Sequence, residues 1–152
     1  MSGGLAWHIE WREGKRPDPM AVKRALVRWA DVVGPMMREL ARAEAPVGSG
    51  PGAGRLRQQL RYERRTTGAE VQVKVVGGAP YTGFVIHGTS PHVIVPRNAM
   101  ALRFQSHGQT VFATLVHHPG TKPNPFGQRA LRRGMIAAQR TLAATLKESL
   151  EL

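Results

Sequence analysis

The stretch HHPGTKPNPF, residues 117–126, places three prolines and a glycine within ten positions. Proline fixes φ and carries no backbone N–H, so neither a strand nor a helix interior accommodates that composition. TVFATLV before it alternates like a strand, and FGQRALRRGMIAAQRTL after it repeats like a helix. The chain must therefore turn from strand to helix through a stiff connection of set direction. Asn124 is a good helix cap and Pro125 a good first helical residue. Phe126, Ala130, Leu131, Met135, Ala138, Leu142 and Leu146 then form one apolar stripe. Gly134 lies inside that stripe at a cost of about 1 kcal/mol in helix propensity, which predicts a close contact there.

A second long helix is predicted near the start. Asp18 can accept from free amides of the first turn, and Pro19 loses no hydrogen bond at the first helical position. Val22, Leu26, Trp29, Val33, Met36 or Met37, and Leu40 recur at steps of three and four. Gly34-Pro35 predicts a kink or break near residues 31–34, because proline there removes a bond to the Asp31 carbonyl. Upstream, WHIEW sets Trp7, Ile9 and Trp11 on one side and His8 and Glu10 on the other, the pattern of a strand with one buried face. With the GKRPDP linker behind it, this strand can complete its own sheet or add to a neighbour's exposed edge.

Pro46 stops the first helix, and GSGPGAGR follows. That run lacks the Lys-Ser/Thr ending of a phosphate-binding loop and has no strand before it, so residues 46–68 are expected to form a flexible Gly/Arg-rich loop. Leu56 and Leu60 within it fit either a single helical turn or the start of a strand. EVQVKVVG, FVIHG, HVIVP, MALRF and TVFATLV then follow at short intervals, as in an antiparallel meander. The clearest hairpin is AMALRFQSHGQTVFATLV, whose Gly108 can take positive φ in the turn. The expected fold class is α+β: a long N-terminal helix, an antiparallel β-sheet meander and a C-terminal helix packed on the sheet. The 152 residues suit one domain over 18–152, preceded by an arm or short strand over 1–17.

The formal charge is +12, and no acidic residue occurs between Glu70 and Glu148. Lys74, Arg97, Arg103, Lys122, Arg129, Arg132, Arg133, Arg140 and Lys147 share that stretch. Such a segment needs counterions, a polyanion or acidic neighbours, with DNA as one candidate and a solvated basic surface as the other reading. The chain has no cysteine, which removes disulfides, thiolate nucleophiles and cysteine-held zinc and agrees with synthesis in a reducing cytoplasm. No apolar run approaches the roughly 20 residues that cross a bilayer, and the first residues lack a secretory pattern. A soluble protein with no membrane partner is expected.

For catalysis the basic half offers His87, His92, His107, His117 and His118 but no carboxylate to orient them. Asp18 and Asp31 belong to the first helix, so no catalytic residue is assigned and no enzyme activity is expected. Adjacent His117 and His118 point to opposite faces of a strand, and no His-x-x-x-His pair occurs, so no metal ligand is assigned either. Sequence-specific DNA reading lacks a helix-turn-helix or zinc-finger signature. Backbone-charge contact remains open: Arg55, Arg57, Arg61, Arg64 and Arg65 are the densest cluster and the candidates for phosphates or an acidic partner.

The order EAPVGSG, GRLRQQL, APYTGFVIHGTSPHVIVP and HPGTKPNPFGQRAL resembles the head-to-tail connector, neck or tail-completion proteins of long-tailed bacteriophages over roughly residues 22–146. Ala45, Pro46, Val47, Leu56, Arg57, Tyr81, Gly88, Thr89, Pro123, Pro125 and Phe126 occupy the family's recurrent places. Two departures are His87, where the family often has glutamate, and the longer GSGPGAG loop. The resemblance implies a structural virion protein at the head-tail junction, made in the host cytoplasm and needing no cofactor. It implies a homo-oligomeric ring, a hexamer favoured over a dodecamer, that joins portal complex to tail, meets neighbouring connector, tail-terminator or tail-tube proteins, and passes viral DNA non-specifically. The ring contacts it suggests are Trp7, Ile9, Trp11, Tyr81, Gly88, Thr89, Pro119, Gly120, Pro123, Pro125 and Phe126. A free, basic, non-specific nucleic-acid-binding protein is the alternative.

Overall fold

A computed structural model of the chain describes residues 17–48 and 52–150. Trp7, Ile9 and Trp11 lie outside the described residues. Helix α1 spans Pro19–Glu44 and begins as its sequence predicts: the Asp18 carboxylate accepts from the amides of Met20 at 3.0 Å and Ala21 at 3.1 Å. The break expected near residues 31–34 does not occur, because α1 continues through Pro35. Tertiary packing offsets the lost hydrogen bond here: a Cβ on Gly34 would sit 2.5 Å from Tyr62 Cδ2, so the bare backbone lets the tyrosine ring lie directly on the helix.

After α1 come a short helix α2, Arg55–Gln58, and strand β1, Leu60–Thr67. Both readings of the Leu56–Leu60 spacing are thus realised in turn, and the expected loop over 46–68 is largely regular structure. Strand β2, Glu70–Gly77, pairs antiparallel with β1 from Leu60↔Gly77 to Thr67↔Glu70. Tyr62 and Arg64 of β1 share a face with Val71, Val73 and Val75, and that face meets α1 through the Tyr62–Gly34 contact and the Arg64–Asp31 ion pair.

FVIHG is not a strand. Thr82–His87 forms helix α3, opened by Thr82 Oγ1 donating to the Ala79 carbonyl at 2.6 Å and closed at Gly88, whose φ is 74°. A short apolar run has no periodicity long enough to separate the two states, and the positive-φ glycine decides it. Strands β3 (His92–Ile94), β4 (Leu102–Ser106), β5 (Gln109–Ala113) and β6 (Val116–His118) follow, then helix α4, Phe126–Leu150. The α+β class holds, with all strand pairs antiparallel. Among the described residues the meander itself is divided into three two-stranded ladders, β1–β2, β3–β6 and β4–β5. Residues 107 and 108 make the β4–β5 turn, with φ of 50° at His107 and 78° at Gly108, the paired positive values that a two-residue hairpin turn requires.

The C-terminal helix packs on α1 and not on a sheet. The two helices run antiparallel: Trp29 Nε1 donates to the Ala138 carbonyl at 2.9 Å, and Arg28 reaches Ser149 at 3.0 Å. Small residues allow this approach, with Ala30, Ala41, Ala130 and Ala138 buried. Gly134 is the predicted close contact: a Cβ there would overlap Met37 Sδ and come within 2.8 Å of Leu40 Cδ1. Helix α1 is therefore the central element, flanked by α4 and by the β1–β2 hairpin. The main core gathers Ala41, Ala45, Leu56, Leu60, Ala79, Phe126 and Ala130 at the C-terminal end of α1.

That end also satisfies part of the carboxylate-free half. Glu44 accepts from Arg129 Nε at 2.9 Å and pairs with Arg133, while Arg129 also reaches the Glu44 carbonyl and Asn124 Oδ1. Asn124 thus holds an arginine instead of capping α4. The Pro125 carbonyl accepts the first helical amides, from Gln128 at 3.1 Å and Arg129 at 3.3 Å, so Pro125 occupies the cap position. The hydrogen bond from Arg133, then that from Arg129, holds the Glu44 carboxyl below the usual glutamate range. A carboxylate whose folded pKa is depressed contributes stability that is full above its unfolded pKa and is lost as pH falls through the folded one. Acid titration of the wild type should therefore show loss of stability beginning below about pH 4.3, the ordinary glutamate value. Glu44→Gln should flatten that part of the profile; an unchanged acid limb would contradict the assignment.

Candidate functional site

Between α3 and the β3–β6 ladder lies an open groove of about 820 Å³, beside Pro46 at the end of α1. Its wall begins in two Gly-Thr pairs. Thr89 and Thr121 exchange backbone hydrogen bonds at 3.0 and 3.1 Å, and their hydroxyl oxygens lie 3.2 Å apart. This isolated bridge is in the register of the β3–β6 ladder: Thr89 lies three positions before His92, and Thr121 lies three positions after His118. The same register sets Pro91 opposite Pro119, and because neither has an N–H the ladder is interrupted there and resumes beyond.

Each glycine of the two pairs is required by the opposite strand. Gly88 has φ of 74°, and a Cβ on it would overlap the Thr121 carbonyl oxygen and stand 3.0 Å from Pro123. Gly120 has φ of 85°, and its Cβ would overlap the Thr89 carbonyl oxygen and stand 3.1 Å from the Pro91 nitrogen. The Asn124 amide donates to the Val85 carbonyl at 3.0 Å, which ties the proline connection to α3. The stiff link before α4 is thereby explained: it closes one side of the groove and delivers Phe126 into the core.

The groove floor and lip are mainly apolar. Tyr81, Phe84, Val85, Pro46 and Pro91 line it, and Phe84 is 64% exposed. Polar chemistry comes from Thr89, Ser90, Thr121, Asn124, His92, His118 and Lys122. His92 and His118 face one another across the ladder with ring centroids 4.9 Å apart. The Gly120 amide donates to His118 Nδ1 at 3.0 Å, while His92 Nδ1 donates to the Ser90 carbonyl at 2.9 Å. Those bonds fix ring positions without a carboxylate partner. Among the described residues no cluster of three metal-ligating side chains occurs, and no helix is long and apolar enough to cross a membrane.

The expected ring contacts divide by location. Tyr81, Gly88 and Thr89 line the groove, Gly120 and Pro123 support it from behind, and Pro119 sits at the ladder's interruption. Pro125 caps α4, and Phe126 is 3% exposed within the core, so Phe126 is spent inside the subunit and offers no surface to a neighbour. The candidate arginines are not one patch. Arg57 Nε donates to the Ala45 carbonyl at 2.7 Å, Arg64 pairs with Asp31, and Arg61 pairs with Glu63 at 3.2 Å. Arg61 and Arg65 are on the β1–β2 face away from α1, whereas Arg55 opens α2.

Sequence reading missed Phe84, because FVIHG read as a strand hides which residues α3 turns outward. It also missed the reciprocity of the two Gly-Thr pairs, whose signal is the repeated Gly-Thr-x-Pro at residues 88–91 and 120–123. A further exposed apolar surface is the β4–β5 hairpin, where Phe112 is 68% exposed and Phe104 is also exposed, with Met100 just before it. No protein-family model, curated protein or solved structure matches the chain.

Proposed function

We propose that the chain is a structural subunit of a ring in the head-to-tail connector of a long-tailed bacteriophage, in which copies join the portal complex to the tail around the passing genome. One observation supports this most. The separate segments that carry the family resemblance meet at one end of the subunit: Pro46, Tyr81, Gly88 and Thr89 line the groove, Pro123 backs it, and Leu56 and Phe126 lie in the core beneath. Three of the four short motifs thus line or back one surface, and the fourth packs in the core beneath it.

The exposed apolar side chains agree with a molecule finished by its neighbours. Phe84, Val93, Val95, Met100 and Phe112 are all exposed, on the groove lip, along β3 and about the β4–β5 hairpin. A ring is a heterologous interface in which one patch meets a different patch on the next copy, and a groove plus a projecting hairpin supply two unlike patches. A six-membered ring suits the six-fold tail that the resemblance implies. The alternative, a free protein that binds nucleic acid by charge, has less support, since three of its five candidate arginines are engaged within the subunit. The test is the location of the chain in assembled particles: copies at the portal-tail junction support the proposal, and a particle without them contradicts it.

A further inference from the structure

We infer that the groove receives the WHIEW segment, Trp7–Trp11, of a second copy of this chain. This deepens the ring proposal and rests on it for the neighbouring copy. The first reason is the shape and chemistry of the two parts. WHIEW alternates Trp7, Ile9 and Trp11 against His8 and Glu10, so as an extended strand it presents one wholly apolar face. The groove offers an apolar wall of Tyr81, Phe84, Val85 and Pro91 beside a two-stranded ladder, β3–β6, whose outer edges have no strand partner among the described residues. Edge addition supplies main-chain hydrogen bonds, and the alternate side chains fill the groove.

Reach decides which copy supplies the arm. The groove adjoins Pro46, at the far end of α1 from Pro19. At 1.5 Å per residue the 26-residue helix is about 39 Å long. Trp11 precedes Pro19 by eight residues, which even fully extended span at most about 29 Å. Ile9, ten residues away, reaches about 36 Å. Against the length of α1, a subunit's own Trp11 falls short of the Pro46 end, whereas a neighbour's arm carries no such limit.

The absence of cysteine makes the test clean, because any disulfide reports only introduced thiols. Full-length Ile9→Cys and Phe84→Cys proteins would be mixed and oxidised mildly; Phe84 is 64% exposed, so its replacement leaves the core intact. Ile136→Cys, on α4 and 58% exposed, replaces Phe84→Cys as the control partner. The expected result is a mixed Ile9–Phe84 disulfide formed at least about tenfold faster than the Ile9–Ile136 control, as docking raises the local thiol concentration. Equal rates, no mixed disulfide, or a disulfide closing within one chain of the Ile9→Cys/Phe84→Cys double variant would each overturn the inference. A tag on one partner separates the mixed dimer from the two symmetric ones. Because this assay uses purified protein, its failure is distinguishable from failure of the connector proposal, which is read from particles.

Discussion

Phe126→Ala should lower stability by about 3–5 kcal/mol, the usual cost of emptying a large aromatic site in a packed core. Phe126 is 3% exposed among Ala41, Ala45, Leu56, Leu60, Ala79 and Ala130, four of which are alanines too small to refill the space. A chain of this size commonly has only about 5–15 kcal/mol in total, so the variant should fall well down its denaturation curve, with a lower midpoint and an unchanged slope. Phe126→Leu should recover much of the loss. A cost below about 1 kcal/mol would return Phe126 to the surface role that its sequence position first suggested.

Gly120→Ala should cost about 3 kcal/mol locally, from a side chain forced into positive φ and from displaced hydrogen bonds across the ladder. The displacement is unavoidable because the new Cβ meets the Thr89 carbonyl oxygen, which is backbone and cannot swing aside. Since the Thr89–Thr121 bridge lies away from the α1–α4 pair, the strain should open the groove wall before it unfolds the helices. Hydrogen exchange checks this directly: protection at the Thr89 and Thr121 amides should drop about a hundredfold, while that of α1 changes little. Gly127→Ala is the control, because nothing lies within 4 Å of its Cβ position and the residue is helical, so it should be neutral or slightly stabilising. Loss of protection in both variants, or in neither, would contradict the reciprocal fit of the two Gly-Thr pairs.

The sequence was informative wherever local chemistry decides the outcome. Asp18-Pro19 caps α1 as read, the His107-Gly108 hairpin turn follows from a glycine that accepts positive φ, and Gly134 marks the contact with Met37 and Leu40. It was misleading wherever distant partners decide. Pro35 does not break α1, because Tyr62 packs on Gly34 from a strand 28 positions further along. FVIHG becomes a helix because Ala79 and Gly88 hold its two ends. The arginine-rich run reads as one basic loop, yet a strand alternates its side chains, so Arg64 turns to Asp31 while Arg61 and Arg65 face away.

The groove shows the same division. Its glycines, prolines and threonines were visible as turn chemistry and as family-like motifs. That Gly88 answers Thr121 and Gly120 answers Thr89 depends on a register between segments about thirty residues apart, which no local pattern encodes. The acidic partner of the basic half was hidden for a related reason. Glu44 sits in α1, 85 positions from Arg129, and only the antiparallel packing of α1 and α4 brings them together.

The central claim is that this subunit is completed by copies of itself at the junction of a phage head and tail. Electron cryomicroscopy of particles assembled from the genome that encodes the chain measures this most directly. Density for the paired α1 and α4 helices should appear in a closed ring between portal and tail, six copies being expected, with each groove occupied by a strand from the adjacent copy. Particles that lack the chain, or that carry it anywhere other than that junction, would contradict the account.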